Sequence, residues 1–295
     1  MPEPAESHEP ARAPTLRELC ARYSIRFKKG LGQNLLLDPN INRIMVEAAA
    51  LTREDSAVEV GAGLGALTRL IAQRAGRMLA VEIDYAFMPC LEDQFGGMEH
   101  VHLFRGDILN HELDKLLSEY LPGADRLTML SNLPYYITTP ILFQFLESPR
   151  HFQRMVVMMQ AEVAQRLVAP VNADNYGVLS LAARLYADVD IVHHVPASCF
   201  VPRPKVDSCI VRFRCHERIR GDDPYARFTI KLVRAAFSQR RKTLRNSLVK
   251  SGNFGVAPEV VSAALEEAGI DPARRPQTVE LEEFGRLAAA IRQRL

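Results

Sequence analysis

Val58-Glu59-Val60-Gly61-Ala62-Gly63-Leu64-Gly65-Ala66-Leu67 reads as a buried strand that runs into a glycine-rich turn and then a helix. Glycines at such a turn let the backbone approach a ligand closely. Taken alone, the segment fits more than one nucleotide. Gly61, Gly63 and Ala66 also satisfy the GxGxxA fingerprint of dinucleotide binding. Glu82, 21 residues after Gly61 at the end of the next apolar run, suits the two hydroxyls of a ribose in either case.

Outward from that turn, short apolar runs alternate with amphipathic stretches, the pattern of an α/β domain on a mostly parallel sheet. The expected strands are Ala57–Val60, Met78–Ile83, Val101–Phe104, Leu127–Leu130 and Met155–Met159. Val189–His194 and Ser208–Phe213 have no helix between them and are joined by the proline-rich 196–204, which suggests an antiparallel pair closing one sheet edge. After Gly221 and Asp222 only amphipathic helical patterns remain: Pro224–Phe237, Arg240–Lys250, Pro258–Ala268 and Glu280–Arg294. The expected division is a flexible tail over 1–25, an α/β domain over 26–218 and a helical domain over 219–295.

The third strand is followed by Arg105-Gly106-Asp107. Carboxylates after strands two and three, beside a short glycine loop, suit a nucleoside with no pyrophosphate to cradle, which favours S-adenosylmethionine over a nicotinamide dinucleotide. Asp107 could instead merely cap a turn. The fourth strand ends in Ser131-Asn132-Leu133-Pro134-Tyr135-Tyr136. An adenine N6 is a poor nucleophile because its lone pair is delocalised into the ring. An Asn oxygen and an adjacent carbonyl that each accept one N–H localise that pair, Pro134 stiffens the loop, and the Tyr135 ring can stack on an extruded base. A plain turn is the alternative reading of the same residues. Asn132, Leu133, Pro134 and Tyr135 are therefore the candidate catalytic residues, and the chemistry calls for no metal.

At this point the chain resembles the ribosomal RNA adenine dimethyltransferase family over roughly residues 26–285. The likeness rests on Gly32-Gln33-Asn34-Leu35-Leu36-Leu37-Asp38, the loop beginning at Gly61, Asn132-Leu133-Pro134-Tyr135, Pro204-Lys205-Val206-Asp207-Ser208, and the run from Phe237 through Gln239-Arg240-Arg241-Lys242 to Leu248. What the resemblance implies is a Rossmann-like class I methyltransferase with a seven-stranded, mostly parallel sheet plus a small all-α C-terminal domain. Its activity would be N6,N6-dimethylation of two adjacent adenosines in the 3′-terminal hairpin of small-subunit (16S) ribosomal RNA, within an immature subunit. By position, Asn34, Leu36, Gly61, Gly63, Glu82, Asp107 and Asn132 would contact the cofactor. Leu35, Ala62 and Ala161 depart from the family's usual Phe, Pro and Lys.

Between Pro224 and Pro258 stand Arg227, Lys231, Arg234, Arg240, Arg241, Lys242, Arg245 and Lys250, with no acid. The overall charge is +2, so these eight cations leave the rest of the chain at −6. Solvated helix faces normally mix both signs, so the run reads as a footprint for a phosphate backbone, with Arg240, Arg241, Lys242 and Arg245 its centre. Five scattered cysteines with no CxxC pair, an acidic proline-containing start and no long apolar run point to a cytoplasmic monomer rather than a secreted, imported or membrane protein. Three other readings stand beside this one. An NAD-dependent oxidoreductase leaves Asn132–Tyr135 and the basic run unexplained, a non-catalytic nucleic-acid-binding relative leaves the intact loop unused, and an antibiotic-resistance adenine methylase would act on large-subunit RNA instead.

Overall fold

The computed structural model describes residues 15–217, 219, 221–239, 241–252 and 254–295. Nine strands form two sheets among these residues. They are β1 (Leu35–Leu36), β2 (Ser56–Val60), β3 (Arg77–Glu82), β4 (Val101–Arg105), β5 (Leu127–Asn132), β6 (Phe152–Gln160), β7 (Ala187–Val195), β8 (Phe200–Val201) and β9 (Ser208–Cys215). The main sheet has seven strands in the order β4-β3-β2-β5-β6-β9-β7. Its first five are parallel, and β9 pairs antiparallel with both β6 and β7. The antiparallel pair thus closes one edge with β7 outermost, while β8, between them in the chain, leaves the sheet to pair with β1. β2 is buried along its whole length, as a central parallel strand covered on both faces must be.

Helices cover the sheet in register with the apolar pattern. α1 is Leu16–Arg22, α2 Pro39–Ala49, α3 Ala66–Ala72, α4 Met88–Phe95, α5 Leu113–Tyr120, α6 Thr138–Leu146, α7 Ala161–Leu167 and α8 Val178–Tyr186. The expectation of a flexible tail as far as residue 25 is corrected for α1. Thr15 and Glu18 form a reciprocal capping box there. Leu19 is buried in a small apolar cluster with Leu64, Phe87 and Cys90, against which Leu16, Cys20, Tyr23 and Ile25 pack. The first fourteen residues lie outside the described ones.

After β9 come α9 (Pro224–Phe237), α10 (Leu244–Lys250), α11 (Pro258–Glu267) and α12 (Leu281–Arg292). Asp223 caps α9 by accepting from Tyr225 N at 2.7 Å, with Pro224 in the first turn where a missing N–H costs nothing. α10 begins four residues later than the pattern suggests, because Thr243 supplies its cap by accepting from Asn246 N. The helices share one core of Leu232, Val233, Leu248, Leu265, Phe284 and Leu287, which also takes in Tyr176 and Leu181 from the α8 region. Tyr176 donates from its hydroxyl to Val279 O at 3.0 Å, so the helical part is bound to the sheet part by packing and by a buried hydrogen bond.

Candidate active site

The chain runs from β2 through β3 to β4, then returns to β5 on the other side of β2, so the sheet order reverses between β2 and β5. Crevices at such a reversal, outside the carboxyl ends of parallel strands, are where open α/β sheets take ligands. A cavity opens there with about 760 Å³ of empty space including its mouth. Val60, Gly61 and Gly63 line it from β2, Glu82 and Ile83 from β3, Asp107 and Ile108 after β4, and Asn132 to Tyr135 after β5. Residues 31–35 supply the remaining wall. Segments separated by about a hundred residues meet because each parallel strand delivers its last residue to the same edge.

Gly63 holds a φ of +57° and donates its N–H to the Glu82 carboxylate at 2.7 Å. A side chain at Gly65, φ +82°, would meet the Phe95 ring at 2.5 Å, so this glycine lets α3 close on α4. The other Glu82 oxygen accepts from Asp84 N at 2.8 Å. Glu82 is 4% exposed, and burial raises its pKa while the backbone N–H bonds oppose that rise. Two backbone amides thus aim the carboxylate at the cavity, with lone pairs left for hydroxyl donors. One strand inward, Glu59 is 1% exposed and accepts from Thr68 Oγ1 at 2.6 Å. Its pKa is pushed up to about 8 by burial, against the Thr68 bond and with help from the Glu82 charge. Burial thus favours the neutral form of Glu59 next to the Glu82 carboxyl.

Asp107 does cap a turn, accepting from Leu109 N at 3.0 Å and Asn110 Nδ2 at 3.1 Å, and it also lines the cavity. The two readings of this residue are compatible, since the cap fixes the direction in which the carboxylate faces. Asn132 donates from Nδ2 to Asn34 O at 3.4 Å, which leaves Oδ1 as an acceptor. Asn34 itself is held by a bond from its Nδ2 to Gly32 O at 3.1 Å. Pro134 O takes Ile137 N and Thr138 Oγ1, which ties the loop to the start of α6. The Tyr135 hydroxyl lies 2.6 Å from Ser208 Oγ on β9, and burial raises the phenol pKa while Ser208 opposes the rise.

The expected cofactor residue Leu36 is not among the residues that line the cavity. Its side chain is buried with Ile41, Met45 and Phe200, and Leu35 faces the cavity in its place. Successive side chains of a strand point to opposite faces, so only one side chain of this pair faces the cavity. Sequence reasoning missed Glu59, Asp84, Ser208 and Gln33 as parts of the site. A glutamate inside the apolar run 57–60 was the available signal for the first, and Ser208 and Gln33 stood in motifs that had no assigned role. For Asp84 no spacing signal existed.

The basic residues of the helical part separate by environment. Arg241 and Lys242 are exposed, whereas Arg245 is half-buried and donates from Nε to Ser262 Oγ at 2.9 Å, bracing α10 against α11. Arg240 lies outside the described residues. Arg227, Lys231 and Arg234 form an exposed row on α9 beside a cleft whose acidic wall is Glu147, 3.5 Å from Arg234. Among the described residues, no helix is long and apolar enough to cross a membrane.

Comparison with known proteins agrees with this geometry. The family model for ribosomal RNA adenine dimethylase matches residues 24–291. Ribosomal RNA small subunit methyltransferase A of Geobacillus sp. (strain WCH70) is 40% identical over 278 residues, covering 93% of this chain and 95% of the relative. The protein of the same name from Lysinibacillus sphaericus (strain C3-41) is 40% identical over 282 residues, covering 93% and 94%. Among solved structures, a dimethyladenosine transferase from Plasmodium falciparum superposes with a TM-score of 0.73 at 25% identity, covering 86% of this chain and 95% of the other. The 23S rRNA methyltransferase ErmE gives 0.64 at 26% identity, covering 88% and 100%. A cavity with paired carboxylates at the sheet reversal, an Asn-Leu-Pro-Tyr loop on its rim and a match across nearly the whole chain lead to one conclusion: this chain belongs to the ribosomal RNA adenine dimethylase family.

Proposed function

We propose that this chain dimethylates N6 of two adjacent adenosines in the 3′-terminal hairpin of small-subunit ribosomal RNA, acting as a monomer on an immature subunit in the cytoplasm. S-adenosylmethionine, the cofactor, supplies an electrophilic methyl group on a sulfonium. The observation that carries the reading is the Asn132–Tyr135 loop on the rim of the cavity, with the Asn132 amide tied by its nitrogen and its oxygen left to accept. The cavity residues fit such a cofactor. Glu82 suits the ribose hydroxyls and Asp107 an adenine amino group, while Gly61 and Gly63 leave room for the nucleoside and Asn34 and Asn132 face the amino-acid end.

Catalysis in this reading is orientation and electrostatics. Asn132 Oδ1 and the Leu133 carbonyl accept the two N6 hydrogens, so the nitrogen lone pair points at the methyl carbon. When bound, the sulfonium would give up its methyl group to N6 and keep the electron pair of the broken S–C bond. The methylated amine then loses one proton to solvent. Tyr135 holds the base by stacking, and alignment of this kind is worth up to roughly 7 to 11 kcal/mol. Arg241, Lys242 and Arg245, with Arg240, would hold the phosphate backbone. The 40% identity to small-subunit methyltransferases, against 26% to ErmE, favours small-subunit RNA.

The test is incubation with methyl-labelled S-adenosylmethionine and, separately, immature small subunits and large-subunit RNA, followed by mapping. Two adjacent dimethylated adenosines near the 3′ end of the small-subunit RNA are expected. Label confined to large-subunit RNA would overturn the target, and label on neither would overturn the activity.

A further inference from the structure

Asp84 is a charged side chain that the reaction does not use, yet it is 1% exposed. Its carboxylate accepts from Lys28 Nζ at 2.7 Å, from Gln33 Nε2 at 2.7 Å and from Ala86 N at 3.0 Å. Burial pushes this carboxyl up, and Lys28, the Ala86 N–H and Gln33 more than reverse the push, holding it below the usual carboxylate range. The backbone N–H of the same residue donates to Glu82 at 2.8 Å. One residue therefore grips two segments that the chain places about fifty residues apart.

The first of these segments is residues 24–34, which join α1 to β1. The stretch contains only the short 3-10 turn Lys29–Leu31, and its end, residues 31–34, forms a cavity wall. Lys28 N also donates to Gln33 Oε1 at 2.8 Å, so the two residues that reach Asp84 are bound to each other. Lys28 Nζ sits 4.2 Å from the centre of the Tyr85 ring, a second hold on the same β3–α4 turn. The hydrogen bond from Asn132 to Asn34 O, by comparison, is long at 3.4 Å.

We propose that Asp84 is a positioning residue that latches the 24–34 strap across the cofactor cavity and, through its own N–H, sets Glu82 in the orientation that receives the ribose. The inference rests on the reading of this cavity as the cofactor site. A buried carboxylate with three donors is a rigid joint, since losing its charge leaves an ammonium and an amide with no equal partner. Closing the strap and aiming Glu82 are then one event, so the cofactor meets a wall and a hydroxyl acceptor that are already in place.

The test uses the full chain and measures S-adenosylmethionine affinity by calorimetry, turnover at saturating cofactor, and tryptic cleavage at Arg26 and Lys28. Asp84→Asn is expected to weaken cofactor binding about tenfold while changing saturated kcat less than about twofold, the loss of a charge-assisted hydrogen bond seen in binding alone. Lys28→Met, at a side chain 41% exposed, should act in the same direction, and the double variant should bind no more weakly than Asp84→Asn. S-adenosylhomocysteine should protect the strap from trypsin in the wild type and much less in Asp84→Asn. Unchanged cofactor affinity in Lys28→Met, or additive losses in the double variant, would overturn the latch. Failure of the wild type to bind the cofactor would instead overturn the reading on which it rests.

Discussion

The cavity and the basic helical face present their polar groups in opposite ways. In the cavity each polar group is fixed by one or more hydrogen bonds: Glu82 by Gly63 N and Asp84 N, Asn132 by Asn34 O, Tyr135 by Ser208. On the helices the cations Lys231, Arg241 and Lys242 end in solvent, and the ion pair of Arg234 with Glu147 is itself largely exposed. Such exposed pairs contribute little to stability. A fixed group discriminates by geometry, and a free cation attracts any phosphate within reach of its charge. The cavity should therefore fail in a shape-specific, salt-independent way, and the helices in a graded, salt-dependent way.

The largest expected effect tests the first half of that contrast. Asn132→Ala removes an acceptor that matters most as the N6 lone pair localises, and should lower kcat about 10²- to 10³-fold, by analogy with loss of an oxyanion-hole donor. Single-turnover methylation of immature subunits, measured at several salt concentrations, decides it. A loss that grew or shrank with salt would mean that Asn132 acts on RNA binding, and the contrast would break.

An intermediate effect belongs to the helices. If six phosphates are contacted, log affinity for RNA should fall against log salt with a slope of about −4 to −5. Replacing Arg241 and Lys242 together by Ala should flatten that slope by about 1.5 to 2 with no change in saturated kcat. Filter binding across a salt series reads this directly. An unchanged slope in the double variant would make the basic face only a solvated surface.

The smallest effect sharpens the idea of fixed groups. Tyr135→Phe keeps the stacking face but loses a 2.6 Å bond to Ser208, a side chain with no exposure. It should cost about 0.5 to 1.5 kcal/mol, read as a rise in KM for RNA of roughly 2- to 10-fold. Ser208→Ala should do the same, and the pair together should cost no more than either alone, because no unsatisfied partner remains. Additive losses would show that the bond does not hold the ring.

Much of this molecule is legible in its residues. The five parallel strands followed from apolar runs of the right length, the glycine turn from its spacing, and α9 from Pro224 and an unbroken helical period. These features are local, because a strand or a cap depends on residues within a few positions of one another. Local pattern also carried Glu82, Asp107 and Asn132, because each ends a parallel strand or directly follows one and all such ends share one edge of the sheet. Tertiary structure alone decided the rest. It buried Leu36 and turned Leu35 to the cavity, because strand register and not motif membership chooses the face. It converted Arg245 from a free cation to a brace on Ser262 by packing α10 on α11. It brought Asp84 to Lys28 and Gln33, and Tyr135 to Ser208, across separations that no periodicity encodes. Partners so far apart in sequence are chosen by the packing of whole elements, and that packing exists only once the sheet has formed.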